Sequence, residues 1–558
     1  MLRSGSGGRR ETVRRTTGAA LRRLAARAKG LVGARNRVSA GSGSESGSGS
    51  GLPPVVALGI VIVAAVLRFR RLGDESFWLD EAFTWVFVTE KYTTVELLTR
   101  LPSEDVHPPL YYLLMDGWVA VAGASEAVMR LPSALFGVAA VWLTYAVGAK
   151  LFDEWAGVGA AAVVGVSTFH LYYSQEARMY SLLVLLALAS YYFFVDLADG
   201  GATDRWTAPG YVLASVLLLY THVYGIFVVL AQNAYLVPRL LLSRREWPVI
   251  GRADAAGTSL GRWLSVQSVV ALLAAPWLLT LFTRFPTISE GGCASITWIP
   301  EPCLSMVRQT IVRYFFYCGT ADIYGLGVAG GSLCNVVYGG VTALALGLAV
   351  VGLVGVGVNR SGKRDPTGPG TLMVLLWFLT PIVVPFVLSQ VITPFLVTRY
   401  TIVASPPLFL LLGKGVQTLR PPVPAWGRLL LVVVLVVGLA APLPTYYEED
   451  QKRQWRGAVE TVGSTASDDA LVLVSEPHVV APYRYYARDS ERAIAGINDT
   501  ATRAEVRAAV GDHDSVWLVL SRAKGEGLAA HLRSLGYEAV ESHRYQGIRV
   551  HSFVRKED

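Results

Sequence analysis

Apolar residues in this chain gather into unbroken runs instead of alternating with polar ones. The runs Leu52–Leu67, Leu131–Ala149, Ala156–His170, Met179–Val195, Leu264–Phe282, Val337–Val358, Leu372–Leu388, Leu396–Leu412 and Leu429–Ala441 approach the length that crosses a bilayer as a helix, about 20 residues. Ala208–Leu242 is long enough to cross twice, with a break at Thr221-His222, so the pattern predicts about eleven spans. A further stretch, His107–Gly123, opens on Pro108-Pro109 and carries Asp116. Proline suits the first turn of a surface helix and a mid-membrane carboxylate is costly, so this stretch is read as lying on the surface. Beyond Tyr446 the pattern changes. Buried-strand runs at Leu471–Val474 and Val516–Leu520 alternate with helical periodicity over Ala501–Val510 and Leu528–Leu535, which predicts a small α/β domain.

Composition narrows the class. Of 558 residues, 52% are apolar and only 16% charged, against about 25% in soluble proteins. An ordinary soluble enzyme, a coiled coil, a collagen and a small disulfide scaffold are all excluded, and a polytopic membrane protein is indicated. The net charge of +8 does not point to nucleic acid, because its basic residues concentrate ahead of the first run: Arg9, Arg10, Arg14, Arg15, Arg22, Arg23, Arg27, Arg35 and Arg37, followed by Gly-Ser repeats. Residues 1–51 are read as a disordered, basic, Gly/Ser-rich cytoplasmic arm, with a basic amphipathic helix over residues 12–30 as an alternative. No short apolar core with a cleavage site follows the arginines, so the arm is not read as a signal peptide.

Basic loops at Arg239–Arg262 and Arg360–Arg364 fall on the cytoplasmic side by the positive-inside rule. That parity predicts a multi-pass protein of the cell membrane with residues 52–444 as its transmembrane domain and residues 445–558 outside. Residues 68–130 and 284–336 become outer loops. The second holds all four cysteines, Cys293, Cys303, Cys318 and Cys334. An even number in one extracytoplasmic segment favours a disulfide, with Cys293–Cys303 the preferred pair. The spacing does not match a zinc site, and no metal-ligand set is predicted.

Candidate chemistry clusters at the outer ends of the spans. Asp80 and Glu81, flanked by Trp78 and other aromatics, follow the first span. A carboxylate there can take a proton from an attacking hydroxyl, although the same pair fits a solvated acidic loop. Tyr172-Tyr-Ser-Gln-Glu176-Ala-Arg178-Met-Tyr180 joins two spans at the same side. Arginine suits phosphate through its planar fork of donors, while a snorkelling arginine among interfacial tyrosines is the plainer reading. His107, His222, and Arg399 with Tyr400 reach that side as well. Acids, arginines and histidines from distant segments at one membrane face suit a reaction between a lipid-linked, phosphate-bearing donor and an acceptor outside.

The stretch Leu72 to Trp78-Leu-Asp80-Glu81-Ala, then His107-Pro-Pro-Leu-Tyr, Arg130-Leu-Pro-Ser, Tyr173-Ser-Gln-Glu-Ala-Arg178-Met-Tyr180, Arg399-Tyr400 and Trp455-Arg456 resembles the membrane glycosyltransferases of the dolichyl-phosphate-mannose mannosyltransferase type, family 39 of the GT-C superfamily. The resemblance runs from about Leu52 to Ala458. It implies a mainly α GT-C fold with surface helices in the first outer loop, a dolichyl- or polyprenyl-phosphate sugar donor, inversion at the anomeric carbon, and no obligatory cofactor. It also implies Asp80 as base with Glu81 in support, and Arg178 and Arg399 on the lipid phosphate; Tyr180, Tyr400 and His222 are read with them as donor-binding residues, and His107, Glu176 and Trp78 as residues that bind the acceptor or shape the site. His222 stands where relatives often carry lysine. Mannose transfer to a surface-glycoprotein N-glycan in an archaeal setting is the implied activity, with a lipid or cell-wall glycan as another acceptor. A transporter of lipid-linked sugars and a non-catalytic assembly scaffold are the competing classes. Removing residues 445–558 is expected to lower transfer without abolishing it.

Overall fold

The computed structural model describes residues 51–101, 105–199, 204–242, 258–289, 299–317, 332–355, 368–419, 423–521 and 526–556. The basic arm, including residues 12–30, and Cys293 lie outside these. Among the described residues, six helices are long and apolar enough to cross a membrane: Leu52–Phe69, Glu126–Leu151, Tyr180–Ala198, Leu260–Arg284, Gly368–Val391 and Trp426–Glu448. Glu154–Val166 and Thr168–Ser174 form one more candidate span, bent by 63°. Leu110–Ala122, Thr207–Leu219, Gly225–Leu241 and Tyr338–Val354 are apolar but shorter. The protein is thus a multi-pass membrane protein in which several of the eleven predicted spans are short or broken.

Two breaks depart from the expected spans for identifiable reasons. The run at Ala156–His170 bends at Ser167, and the carbonyls of Val164 and Gly165 left open by the bend accept hydrogen bonds from the buried Arg68 guanidinium at 3.0 Å each. A helix end inside protein needs such a partner. The run at Leu396–Leu412 is not one helix. A 3-10 turn covers Tyr400–Ala404 and the α-helix starts only at Ser405, with Pro406 and Pro407 in its first turn. Proline at these positions sets the helical start, leaving Thr398, Arg399 and Tyr400 in non-α backbone at the bundle end. Leu110–Ala122 begins at Pro109 and has 13 residues; at 1.5 Å per residue it spans roughly 20 Å, short of the ~30 Å hydrocarbon layer.

The Ser405–Thr418 helix is wedged into the bundle by glycines. A methyl group on Gly415 would lie 1.8 Å from the Leu348 carbonyl oxygen, and one on Gly413 2.2 Å from that of Ala156. Small residues at such crossings let helix backbones touch.

The terminal domain is a three-layer α/β unit. Strands β1 (Leu471–Ser475), β2 (Ile494–Ile497), β3 (Ser515–Ser521), β4 (Tyr537–Tyr545) and β5 (Ile548–Arg555) form a sheet ordered β2-β1-β3-β5-β4. β1 pairs parallel with β2 and β3, while β5 runs antiparallel to β3 and β4. Alternate residues of β1 and β3 feed two cores. Val472, Val474, Trp517 and Val519 pack with Trp455, and Leu471, Leu473, Leu518 and Leu520 pack with Val506, Leu528 and Leu532. Burial on both faces explains the continuous apolar runs of these strands. The domain docks on the bundle end through Tyr485, which packs on Phe77 and Trp85, and through Tyr486, which donates to Glu126.

Cys303 carries a free, exposed thiol, with its Sγ 2.9 Å from Ser305 Oγ at the start of the Leu304–Arg313 helix. Cys293, its expected disulfide partner, lies outside the described residues.

Candidate active site

The helix Leu79–Val86 places two carboxylates in its first turn, where the helix dipole favours negative charge. Their side chains have different fates. Glu81 is fully buried. Its Oε1 accepts from Arg130 Nε at 2.7 Å and the Ala177 amide at 2.9 Å, and its Oε2 from Arg130 Nη2 at 2.8 Å and Lys452 Nζ at 3.0 Å. Burial raises the Glu81 carboxyl, but Arg130 and Lys452 outweigh it and hold it at about 2. Glu81 is thus occupied in locking the helix to its surroundings. Asp80 is partly exposed, and its Oδ2 lies 3.3 Å from Arg399 Nη2.

Around Asp80 gather the other expected residues. Arg178 reaches it from the loop before Tyr180: Nη1 donates to the Tyr112 hydroxyl at 2.9 Å and lies 3.4 Å from the Asp80 carbonyl oxygen. Arg399 stacks over Trp78 at 5.8 Å and over Tyr400 at 5.5 Å. His222 sits between two short helices. Its ring lies 4.8 Å from Tyr400, 5.4 Å from His107 and 6.0 Å from Tyr180. His222 Nδ1 accepts from the Tyr224 amide at 3.1 Å, so its Nε2 carries the proton in the neutral ring. Burial, with His107, Arg178 and Arg399 adding, keeps the ring well below the ordinary imidazole range. Arg178 Nε, His222 Nε2, His107 Nε2 and the Tyr180 hydroxyl are all buried without a partner. Orphaned buried polar atoms are costly, and four of them on three chain segments beside two arginines line a cradle that suits an anion.

Glu176 lies on the other side of Trp78, whose Nε1 donates to its Oε1 at 3.0 Å. Burial raises this carboxyl to about 8; Lys452 opposes, while Glu81 and Asp80 add to the rise. Among the described residues, no group of three or more His, Cys, Asp or Glu is arranged to hold a metal ion.

The structure adds residues the sequence did not single out. Asp105 holds His107 and Tyr112, and Lys452 reaches from the terminal domain to Glu81. Each is one charge among neighbours, Asp105 beside Glu104 and Lys452 beside Arg453, with no local pattern to mark it. Arg130 stood out only as part of a motif, and its role depends on a partner 49 residues away.

Fold and site together make a helical membrane bundle with a polar cluster at its end under a small α/β domain. A family model described as dolichyl-phosphate-mannose-protein mannosyltransferase matches residues 106–252, the segment that carries His107, Arg130, Arg178 and His222. Among solved structures, the chain resembles apo ArnT from Cupriavidus metallidurans with a TM-score of 0.58 at 13% identity, covering 89% of this chain and 98% of that one. It resembles the same protein bound to undecaprenyl phosphate with a TM-score of 0.53 at 13% identity, covering 90% and 98%. It resembles the oligosaccharyltransferase AglB from Archaeoglobus fulgidus, in complex with an inhibitory peptide and a dolichol-phosphate, with a TM-score of 0.51 at 11% identity, covering 91% and 75%. At these identities the likeness is one of fold. Comparison with curated proteins gave no match.

Proposed function

We propose that the protein is a glycosyltransferase that moves a hexose, mannose for preference, from a polyprenyl- or dolichyl-phosphate carrier to an extracytoplasmic glycan, with N-glycan extension on surface glycoproteins favoured over lipid or cell-wall glycans. The observation that carries this reading is the gathering of two guanidinium groups from distant segments at one partly exposed acid: Arg399 Nη2 lies 3.3 Å from the Asp80 carboxylate, and Arg178 Nη1 lies 3.4 Å from the Asp80 main-chain carbonyl oxygen. The family-model match over residues 106–252 and the undecaprenyl phosphate and dolichol-phosphate held by two proteins of like fold support a lipid phosphate as the group these arginines take. In this reading the site faces outward at the cell membrane and the donor needs no further cofactor.

The chemistry follows from the groups present. Donor phosphate entering the cradle draws Arg399 toward it and frees the Asp80 carboxylate. Asp80 accepts the proton of the acceptor hydroxyl as that oxygen bonds to the anomeric carbon. The bond from that carbon to the phosphate oxygen breaks through an oxocarbenium-like state, and the electron pair leaves on the polyprenyl phosphate. Attack from the face opposite the phosphate inverts the anomeric centre. Arg178, Arg399 and the His222 Nε2–H stabilise the charge that develops on the leaving oxygen. Such preplaced donors contribute about 3–4 kcal/mol each in a water-poor site.

The test is to incubate reconstituted protein with polyprenyl-phosphate mannose and polyprenyl-phosphate glucose in parallel, with extracted glycan acceptors. Lipid-dependent product from mannose is expected. Asp80→Asn should lower transfer by about 10²–10⁴-fold, the range of general-base removal, while retaining lipid binding. Transport of the lipid-linked sugar without transfer, unaffected by Asp80→Asn, would replace this reading with a transporter.

A further inference from the structure

The polar cluster around Asp80 contains a carboxylate that touches neither a lipid phosphate nor an acceptor in the scheme above. Asp105 accepts from two directions: its Oδ1 is 2.6 Å from His107 Nδ1 and its Oδ2 2.6 Å from the Tyr112 hydroxyl. The backbone amide of His107 donates to the same Oδ1 at 3.1 Å. Burial raises the Asp105 carboxyl, but His107, Arg178 and the Tyr112 hydrogen bond overcome it and the group stays below the ordinary carboxylate range. An ionised carboxylate only accepts, so the Nδ1 of His107 must carry hydrogen.

That assignment decides what the far side of the ring does. His107 Nε2 is buried and has no partner. The ring stands 5.4 Å from that of His222 and 6.1 Å from that of Tyr400, with Arg178 Nη2 3.5 Å from its Nδ1. Tyr180 and Arg399 complete the surroundings through their contacts with His222 and Tyr400. Through its second oxygen, Asp105 fixes the Tyr112 hydroxyl, which in turn takes the Arg178 Nη1 hydrogen at 2.9 Å. One carboxylate therefore orients two of the groups that border the cradle.

We propose that Asp105 is a positioning residue of the phosphate cradle: it accepts the Nδ1 hydrogen of His107 and aims the ring so that, with hydrogen on both nitrogens, Nε2 donates to the phosphate of a lipid-linked donor. This gives His107, expected to bind the acceptor or shape the site, a place on the donor side. The inference rests on the reading of the cradle as a lipid-phosphate site. The ring then bridges two anions, the Asp105 carboxylate at Nδ1 and the bound phosphate at Nε2, and donating to both takes a hydrogen on each nitrogen.

The experiment measures binding of undecaprenyl phosphate, with undecaprenol as the uncharged control, to full-length protein in nanodiscs. Asp105→Asn and His107→Gln are each expected to weaken undecaprenyl phosphate about tenfold and to leave undecaprenol unchanged. The double variant should bind no more weakly than His107→Gln to within twofold, because a residue acting through another adds nothing once that other is gone. Wild-type affinity in Asp105→Asn, or a double variant weaker by the product of the two single losses, overturns the proposal. Should Asp105→Asn fail to fold, His107→Gln must still lose phosphate affinity selectively, and equal loss for alcohol and phosphate overturns it. Transfer by the wild-type protein separates this inference from the reaction. Protein that shows the binding pattern yet moves no sugar would sink the transferase reading alone. Transfer with an unaltered donor KM in Asp105→Asn would sink the positioning role alone.

Discussion

Trp78 stands between two acids that the structure treats in opposite ways. On one side Asp80 meets arginine at the edge of solvent. On the other, Glu176 takes the indole hydrogen, has a second oxygen without a partner, and is pushed up to about 8 by burial. A neutral carboxyl at this position has a measurable consequence. Because the folded value exceeds the ordinary 4.5, the folded state binds the proton more tightly than the unfolded chain. The stabilisation is full below about pH 4.5 and is lost as pH rises through about 8. Glu176→Gln, which mimics the neutral acid, should flatten this stretch of the stability–pH curve when detergent-purified protein is melted between pH 5 and 9; an unchanged slope would mean that Glu176 is ionised. At this scale the sequence was informative where residues sit in aromatic-rich motifs, as Asp80, Glu176 and Arg178 do. It was silent on Asp105, whose surroundings read as a solvated loop, and on the division of labour between Asp80 and Glu81. Adjacent acids look alike in a sequence, and only the position of Arg130 and Lys452 separates them.

Helices show the same division. Long apolar runs announced the Glu126–Leu151, Tyr180–Asp199 and Gly368–Val391 helices to within a few residues, because the cost of unpaired backbone in lipid leaves a helix as the only continuous solution. Breaks inside apolar runs were harder to see. The bend at Ser167 depends on the Arg68 guanidinium, which comes from a helix about 100 residues earlier, and the late start of the Ser405–Thr418 helix depends on two prolines in an otherwise apolar stretch. That helix is also where close packing is most exposed to perturbation. Gly415→Val would drive a branched side chain into the Leu348 carbonyl, where even a single methyl would approach to 1.8 Å. Rigid backbone on both sides leaves nothing to yield, and a loss of about 3 kcal/mol is expected. Thermal melts of the variant beside Gly261→Val, on a glycine with open space around it, check the prediction; equal melting temperatures would show that the crossing is looser than described.

Across the whole molecule, the α/β domain does more than hang beside the bundle. Its entry segment sends Lys452 into the ion cluster around Glu81, Arg456 onto Glu126, and Tyr485 and Tyr486 against Phe77 and Glu126. The expectation that residues 445–558 could be removed with only partial loss must therefore be revised, since the deletion takes away one of the two cations that neutralise Glu81. Lys452→Met, which keeps the aliphatic stem, isolates this effect. Stripping one partner from a buried pair costs roughly 3–5 kcal/mol; with Arg130 still in place, a loss toward the lower end, about 3 kcal/mol, is expected, with transfer and melting temperature falling together. Retained activity at wild-type stability would show that Arg130 alone suffices. The linkage also bears on biogenesis. Lys452 follows Glu81 by 371 residues, so a ribosome has inserted almost the entire bundle before the lysine that secures the Asp80 helix leaves the exit tunnel. A nascent or prematurely terminated chain can thus occupy the bilayer before the Asp80 helix is secured.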